Sequence, residues 1–294
     1  MKKIFTIFCT FFLLSSVSGQ KVSKQLIAEY EDTLKVMAHT IMNAQTEQEK
    51  FVANHAFIKT LKEVLQYERS FNYPFDSLKT ISIKTSSDNR VRVYTWILKK
   101  DSGTYQYFGF VHYKNKSKKR YEIIALNDNS ENIRRPKNEQ LDNKNWYGAL
   151  YYEIIYIKKK GRKYYTLLGW DGNNDVSTKK IVDVMYFSGK EIIKFGASIF
   201  RAGKTTTKRF IIEYNANSNI SVRYEKEENR IVFDHLIPIR KDLYGLYEYY
   251  VPDGTYNALK YINGKWILKN DIDANNPTSK NPTREKPKMG ISPN

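Results

Sequence analysis

The chain has 294 residues, of which 41% are hydrophobic and 27% are charged. These proportions are ordinary for a globular protein with a sizeable core, and they exclude a wholly disordered, collagen-like or multi-span membrane chain. Lysine and arginine number 49 against 31 acids, a net charge of +18. Such a charge favours anionic partners, and we expect an anionic glycan, a peptide or a lipid headgroup rather than nucleic acid.

Residues 1–19 are predicted to be an export signal. Two lysines near the start precede an apolar run from Ile4 to Leu14 and a small-residue stretch that ends at Gly19. Cleavage there would place the mature protein in the periplasm or outside the cell, and no later stretch is apolar enough to predict a membrane span. Because the single cysteine, Cys9, lies inside this signal, we expect no disulfide and no thiol ligand or nucleophile in the mature protein.

Apolar residues at spacings of three and four predict a helical hairpin within residues 20–72. The first apolar stripe consists of Leu26, Ile27, Tyr30, Leu34, Met37 and Ile41. Thr46 and Glu49 make a capping-box pattern at the start of the second helix, and Pro74 follows its end. Two helices alone bury too little surface, so the hairpin is expected to pack on the rest of the chain.

Residues 75–273 change to a hydrophobic period of two, which predicts a large antiparallel β domain. The plainest hairpin turns at Asn263-Gly264, the residue pair that best tolerates the positive φ angles of a two-residue turn. Bulky side chains at successive positions, such as Tyr151 and Tyr152, indicate that both faces are covered. The predicted fold class is therefore α+β: a helical hairpin followed by a tyrosine-rich antiparallel sandwich or curled meander. Residues 274–294 are rich in proline and polar residues and are predicted to be a disordered tail.

Common catalytic motifs are absent from the sequence. There is no Gly-x-Ser-x-Gly, no complete phosphate-binding loop and no helical His-Glu-x-x-His. Asp234 and His235 are adjacent and could supply an acid and a base. Neighbours on a strand point to opposite faces, however, so each would need another partner. His235 as a general base is a hypothesis beside the alternative of an ordinary structural histidine.

Three predicted strands end in segments rich in aspartate and asparagine, at residues 125–129, 170–175 and 271–275. Oxygen-bearing side chains alternate in the last two, which matches the early part of a calcium loop. The candidate metal ligands are Asp171, Asn173, Asp175, Asp271 and Asp273. The glycine and glutamate that complete such a loop are missing, and aspartate and asparagine also form ordinary turns. Calcium is thus the one cofactor that the sequence suggests, beside the alternative of no cofactor.

Aromatic residues are abundant, with 23 tyrosines, 15 phenylalanines and 4 tryptophans. Most must lie in a core, but tyrosine rings also form recognition surfaces, because each offers a large contact area and a hydroxyl. The densest stretch runs from Tyr244 to Tyr250, close to Asp253. The candidate ligand-binding residues are Trp170, Asp171, Asn173, Asp234, His235, Tyr249 and Asp253.

Two basic runs, residues 114–120 and 158–163, fall at predicted hairpin turns. If those turns lie at one end of the fold, they would build a cationic rim able to hold phosphate or carboxylate groups. The alternative is that both are simply solvated loops.

Three segments carry a family resemblance: Trp146–Tyr152, Leu168–Asn174 and Ile231–Leu236. There the chain resembles an uncharacterised family of exported proteins from Bacteroidetes-type bacteria, over roughly residues 146–273. The resemblance implies a periplasmic or cell-envelope location and no particular activity.

These observations favour a non-catalytic, envelope-associated binding protein that recognises a glycan or a peptide through aromatic and Asx-rich surfaces. The alternative is a glycosidase-like hydrolase with paired carboxylates, because such a pair leaves no linear signature. Its candidate carboxylates are Glu153, Asp171, Asp183 and Asp234.

Overall fold

The computed structural model describes residues 23–159, 161–189 and 191–273. The predicted export signal and the predicted disordered tail lie outside these residues. The helices are α1 (Lys24–Asn43) and α2 (Glu47–Val64). The strands in chain order are β1 (Ser82–Thr85), β2 (Val91–Lys99), β3 (Tyr105–Asn115), β4 (Arg120–Asn127), β5 (Leu141–Asp142), β6 (Leu150–Lys159), β7 (Arg162–Asp171), β8 (Ser177–Ser188), β9 (Ile192–Phe195), β10 (Phe200–Ala202), β11 (Thr205–Thr207), β12 (Phe210–Asn215), β13 (Val222–Glu225), β14 (Arg230–Pro238), β15 (Tyr250–Ile262) and β16 (Lys265–Lys269).

The two helices form the predicted hairpin. Ser23 caps α1 by accepting a hydrogen bond from the Leu26 amide, and the capping box of Thr46 and Glu49 starts α2. Buried Glu31 accepts hydrogen bonds from the Tyr73 hydroxyl (2.7 Å) and the Ser77 amide (2.5 Å), which ties α1 to the segment that leads into the sheets. Neither helix, within the part of the chain that the structure describes, has the length and apolarity of a membrane span.

The strands form three sheets. Sheet 1 has the order β1-β2-β3-β4, sheet 2 has the order β5-β9-β8-β7-β6 with β12 paired to β8, and sheet 3 has the order β11-β10-β16-β15-β14-β13. Strand pairing is antiparallel apart from β10 with β16, which are parallel. The predicted hairpin turn at Asn263 and Gly264 is present, with φ angles of 50° and 85°.

The layers stack as helices, sheet 1, sheet 2 and sheet 3, with a hydrophobic core at each of the three boundaries. Sheet 2 is the clearest case of a sheet covered on both faces. Tyr165 and Leu167 of β7 face sheet 1, whereas Leu168 of the same strand joins the core shared with sheet 3. This confirms the predicted α+β class with its antiparallel β region, and stacked sheets explain why bulky side chains occupy successive strand positions.

The hairpin turns gather at two opposite ends of the β region. At one end Tyr105 packs on Trp170 with ring centroids 5.4 Å apart, which places the turns 100–104 and 172–176 together. At the other end Tyr113 packs on Phe187, with centroids 4.7 Å apart. We call the first the arm end and the second the rim end, after the features described below.

Candidate functional site

The segment that joins β14 to β15 exposes an unusual amount of apolar surface. Residues 237–249, named the arm here, carry six exposed large apolar side chains, whereas the rest of the described chain has five. The six are Ile237, Ile239, Tyr244, Leu246, Tyr247 and Tyr249. Tyr244 is the most open, at 83% exposed. A contiguous run of this kind is typical of an interaction site, because isolated apolar residues on a surface are common but clusters are not.

Hydrogen bonds hold the arm's backbone against the protein. The Asn215 side chain donates to the Glu248 carbonyl at 2.6 Å, and the Ile239 amide donates to the Tyr249 carbonyl at 3.1 Å. Gly245 adopts a φ of 91° and donates its amide to the Tyr250 hydroxyl at 3.1 Å. Because the backbone is anchored while the side chains point outward, the arm is a preformed surface.

A histidine and an aspartate meet beside the arm. The β14–β15 ladder shifts register between Asp234 and Leu236, so that His235 lies opposite a three-residue bulge in β15. The His235 Nδ1 is 2.8 Å from Asp253 Oδ2. The Thr255 amide, with a further contribution from His235, lowers the pKa of Asp253 to about 2. Two of the predicted ligand-binding residues are therefore brought together, half-exposed, within a few residues of the arm.

Asp234, the sequence neighbour of His235, has a different partner. Its carboxylate accepts a hydrogen bond from the Ser221 amide at 2.6 Å. This agrees with the expectation that adjacent strand residues cannot serve one substrate together.

Two of the three Asx-rich segments converge on Tyr107. Its hydroxyl donates to Asp171 Oδ1 at 2.7 Å and accepts from the Gly172 amide at 2.8 Å, while its own amide donates to Asp128 Oδ2 at 3.0 Å. Burial raises the pKa of the Asp171 carboxyl. The third segment lies elsewhere, on sheet 3, where the Asp271 amide donates to the Asn257 side chain at 3.3 Å. The Asx-rich segments therefore do not form one common site.

Two of the side-chain oxygens proposed as calcium ligands, Asp171 Oδ1 and Asn173 Oδ1, accept internal hydrogen bonds. The Asn173 amide donates to Asp171 Oδ1 at 2.8 Å, and Lys179 donates its ammonium to Asn173 Oδ1 at 2.6 Å. The Asp175 carboxylate packs against Gly103, and the Asp273 carbonyl accepts from Arg230 at 3.1 Å. A cation at Asn173 would have to displace a lysine, which opposes it electrostatically.

Across the described ranges, no group of three or more histidine, cysteine, aspartate or glutamate residues is arranged to hold a metal. Calcium binding stays a prediction. Trp170, at the start of the same turn, is half-buried against Tyr105 and has a structural role there.

The four carboxylates of the hydrolase hypothesis all accept internal hydrogen bonds. Asp183 is fully buried and lies 2.6 Å from the Nε of Arg209, which is buried as well. Glu153, whose pKa is raised by burial, accepts from the backbone of Tyr224, and Asp171 and Asp234 are held as described above. These contacts give the hydrolase hypothesis no support.

The aliphatic members of the arm were missed by sequence reasoning. Ile237 lies near the end of β14 and Ile239 directly follows that strand, and both continue its apolar alternation, so the pattern alone places them in a core. The available signal was the crowding of Pro238, Gly245 and three tyrosines into the same connection, which is longer than a simple turn requires.

Comparison with models of protein families, with curated proteins and with solved structures finds no match for this chain. The resemblance to exported Bacteroidetes-type proteins stays a prediction.

Proposed function

We propose that the chain is an exported, envelope-associated binding protein whose arm docks an extended segment of a partner protein. The observation that carries the proposal is the concentration of exposed apolar side chains on an anchored backbone. Tyrosine is enriched in protein interfaces because a rigid ring with a hydroxyl gives contact area at little entropic cost.

The mixture of side chains favours a peptide over a glycan. Rings such as Tyr244 suit both ligands, but the aliphatic residues Ile237, Ile239 and Leu246 gain most from contact with another apolar side chain. The charges of the arm balance, because Arg240 lies 3.0 Å from Asp242 and the remaining cation, Lys241, is matched in number by Glu248. The expected ligand is therefore a predominantly apolar peptide segment.

His235 supplies a polar group at the base of the arm. When its ring is neutral, Nδ1–H donates to Asp253, and this leaves Nε2 as a hydrogen-bond acceptor. Such an acceptor suits a backbone amide of an extended peptide. In this proposal His235 and Asp253 orient the bound peptide and catalyse no reaction.

Peptide display tests the proposal. A phage library of random peptides is panned against the purified chain, in parallel with a glycan array. The variant Tyr244→Gln, Leu246→Gln, Tyr247→Gln removes three apolar side chains from the arm. Its matched control, Val36→Gln, Met42→Gln, Val52→Gln, removes three exposed apolar side chains from the helices.

We expect the selected peptides to bind the control as they bind the wild type, and to bind the arm variant at least about tenfold more weakly, a difference of about 1.4 kcal/mol. The melting temperature of the arm variant should stay unchanged, because these side chains are already exposed. Equal binding to both variants would contradict the proposal. Recovery of glycans instead of peptides, with the same dependence on the arm, would assign the site to sugars.

A further inference from the structure

The two basic runs lie at the same end of the fold. Arg90 connects them to the neighbouring turns: its Nη2 lies 2.6 Å from Glu191 Oε1, and its carbonyl accepts from the Lys114 amide at 2.9 Å. Lys163, beside the second run's turn, reaches Asp88 of the β1–β2 turn at 2.5 Å. Turns of sheets 1 and 2 are thereby joined into one surface, named the rim.

Positive charge dominates the rim. Among the described residues, its ten cations are Arg90, Lys114, Lys116, Lys118, Lys119, Arg120, Lys158, Lys159, Arg162 and Lys163. Three carboxylates accompany them: Asp88, Glu122 and Glu191. In the described part of the chain, six of the cations have no carboxylate partner: Lys114, Lys116, Lys119, Lys158, Lys159 and Arg162. The rim therefore keeps a large excess of positive charge that is not neutralised internally.

The rim is concave. A depression of about 490 Å³ lies between Arg90, Arg162, Lys163 and Phe187. Two guanidinium groups at this depression are positioned by aromatic rings, Arg90 at 4.6 Å from the centroid of Phe187 and Arg162 at 5.9 Å from that of Tyr186. Arg90 is already held by Glu191, which also lines the depression. The Arg162 guanidinium has no carboxylate partner among the described residues, so it is the group at the depression that can bind a carboxylate, sulfate or phosphate with two parallel hydrogen bonds.

We propose that the rim is a second binding site, separate from the arm, and that it takes an acidic polysaccharide. A chain-like polyanion can follow the line of turns while one of its charged groups enters the depression. A flat bilayer cannot reach the floor of a depression, and it also requires exposed apolar side chains for insertion. Of the exposed large apolar side chains in the described residues, Ile192 alone belongs to these turns. Single-stranded nucleic acid would require exposed rings for stacking, and the exposed rings lie on the arm.

The test measures binding of a fluorescently labelled heparin oligosaccharide to the purified chain by anisotropy, at about 50 and 200 mM salt. The rim variant is Lys116→Gln, Lys119→Gln, Lys158→Gln, and all three side chains are exposed. The control variant, Lys35→Gln, Lys59→Gln, Lys62→Gln, removes the same charge from exposed positions on the helices. We expect the rim variant to bind at least about tenfold more weakly at the lower salt with a shallower salt dependence, and the control to change less than about twofold.

Four results would overturn the proposal. Equal losses in the two variants would show that only net charge matters, and absence of binding at the lower salt would remove the site altogether. Binding to vesicles that contain phosphatidylglycerol, but not to the oligosaccharide, would assign the rim to a membrane surface. Tighter, rim-dependent binding to single-stranded DNA would assign it to nucleic acid. The arm variant described above should bind heparin as the wild type does, so failure of one proposal is distinguishable from failure of the other.

Discussion

The arm end and the rim end are both built from connections between antiparallel strands, yet they expose different chemistry. At the arm end Asp171, the last residue of β7, is held by Tyr107 from another sheet, and six large apolar side chains of the arm are exposed. At the rim end Lys118 pairs with Glu122, Lys163 pairs with Asp88 and Lys159 donates to the Asn263 carbonyl. Lys114, Lys116, Lys119 and Lys158 are exposed and have no carboxylate partner among the described residues. A polar residue at the end of a strand is therefore held inside only where the adjacent layer supplies a hydrogen-bond or ion-pair partner, and otherwise it stays exposed.

The largest effect is expected midway between the two ends. Arg209→Met should destabilise the protein by about 3–5 kcal/mol, because it leaves the Asp183 carboxylate buried without its cation. Urea unfolding measures this loss. The double variant Arg209→Met, Asp183→Leu should recover most of it, since an apolar pair of similar volume needs no charge compensation. An equal loss in the single and double variants would contradict this account and point to packing alone.

A smaller effect is expected at the arm end. Tyr107→Phe removes the hydroxyl that joins Asp171 to the Gly172 amide, and should cost about 1–3 kcal/mol because a buried acceptor loses its donor. Tyr105→Phe is the matched control, since the Tyr105 hydroxyl makes no hydrogen bond within the described residues. Chemical denaturation of both variants measures the difference. Similar stabilities for the two would mean that Asp171 finds other donors and that the arm end does not depend on this contact.

His112 supplies a pH-dependent test near the rim end. It is buried against Phe71 and Tyr121, and neither ring nitrogen has a partner in the described residues. Burial lowers the pKa of His112 to about 3. Because the folded state disfavours the charged ring, stability should be complete above the unfolded pKa of about 6.5 and fall by about 1.4 kcal/mol for each pH unit below it, until the folded pKa is reached.

Stability measured from pH 7 to pH 4 checks this slope. We expect His112→Phe to have a shallower decline than the wild type, by about 3 kcal/mol over this range. Val93→Ala, a buried cavity variant on the adjacent strand, is the control and should lower stability at all pH values alike. Parallel curves for wild type and His112→Phe would refute the burial of a neutral ring.

The smallest effect is expected at the rim itself. The pKa of Glu122 is lowered to about 2, chiefly by the hydrogen bond from Lys118 and further by those from Asn115, Tyr113 and Arg120. The depressed pKa means that this carboxylate stabilises the fold above about pH 4.5 and loses that contribution as the pH falls towards 2. Since its lysine and arginine partners are largely exposed, Glu122→Gln should cost less than about 1 kcal/mol at pH 7 and nothing at pH 2. Urea unfolding at the two pH values measures both, and a larger loss at pH 2 would reverse the expected sign.

Much of the fold was predictable because its determinants are local. The capping box of Thr46 and Glu49, and the Asn263-Gly264 turn, each act within a few residues, and both are present. The covering of both faces of the sheets followed from bulky residues at successive positions, which only a layered structure can bury. The parallel pairing of β10 with β16 was not predicted, because it joins segments more than sixty residues apart with no local signal.

The candidate site was less predictable. Tyr249, His235 and Asp253 were identified from composition, and the last two do meet, but their contact depends on a register shift that the sequence pattern does not reveal. Asp171 and Asn173 have the spacing of cation ligands. Their side-chain oxygens, however, already accept hydrogen bonds from Tyr107 and Lys179. Tyr107 lies 64 positions away from Asp171, so no reading of neighbours along the chain could have found this partner.

By itself the sequence determined the helical hairpin, the change of period after Pro74, the hairpin turns and the basic character of two of them. These features depend on backbone preferences and side-chain periodicity, which act over a few residues. Tertiary structure alone decided which turns lie at the same end and which apolar residues stay exposed on the arm. It also decided which carboxylates are held by internal hydrogen bonds. Each of these outcomes depends on the neighbouring layer, which the local sequence does not specify.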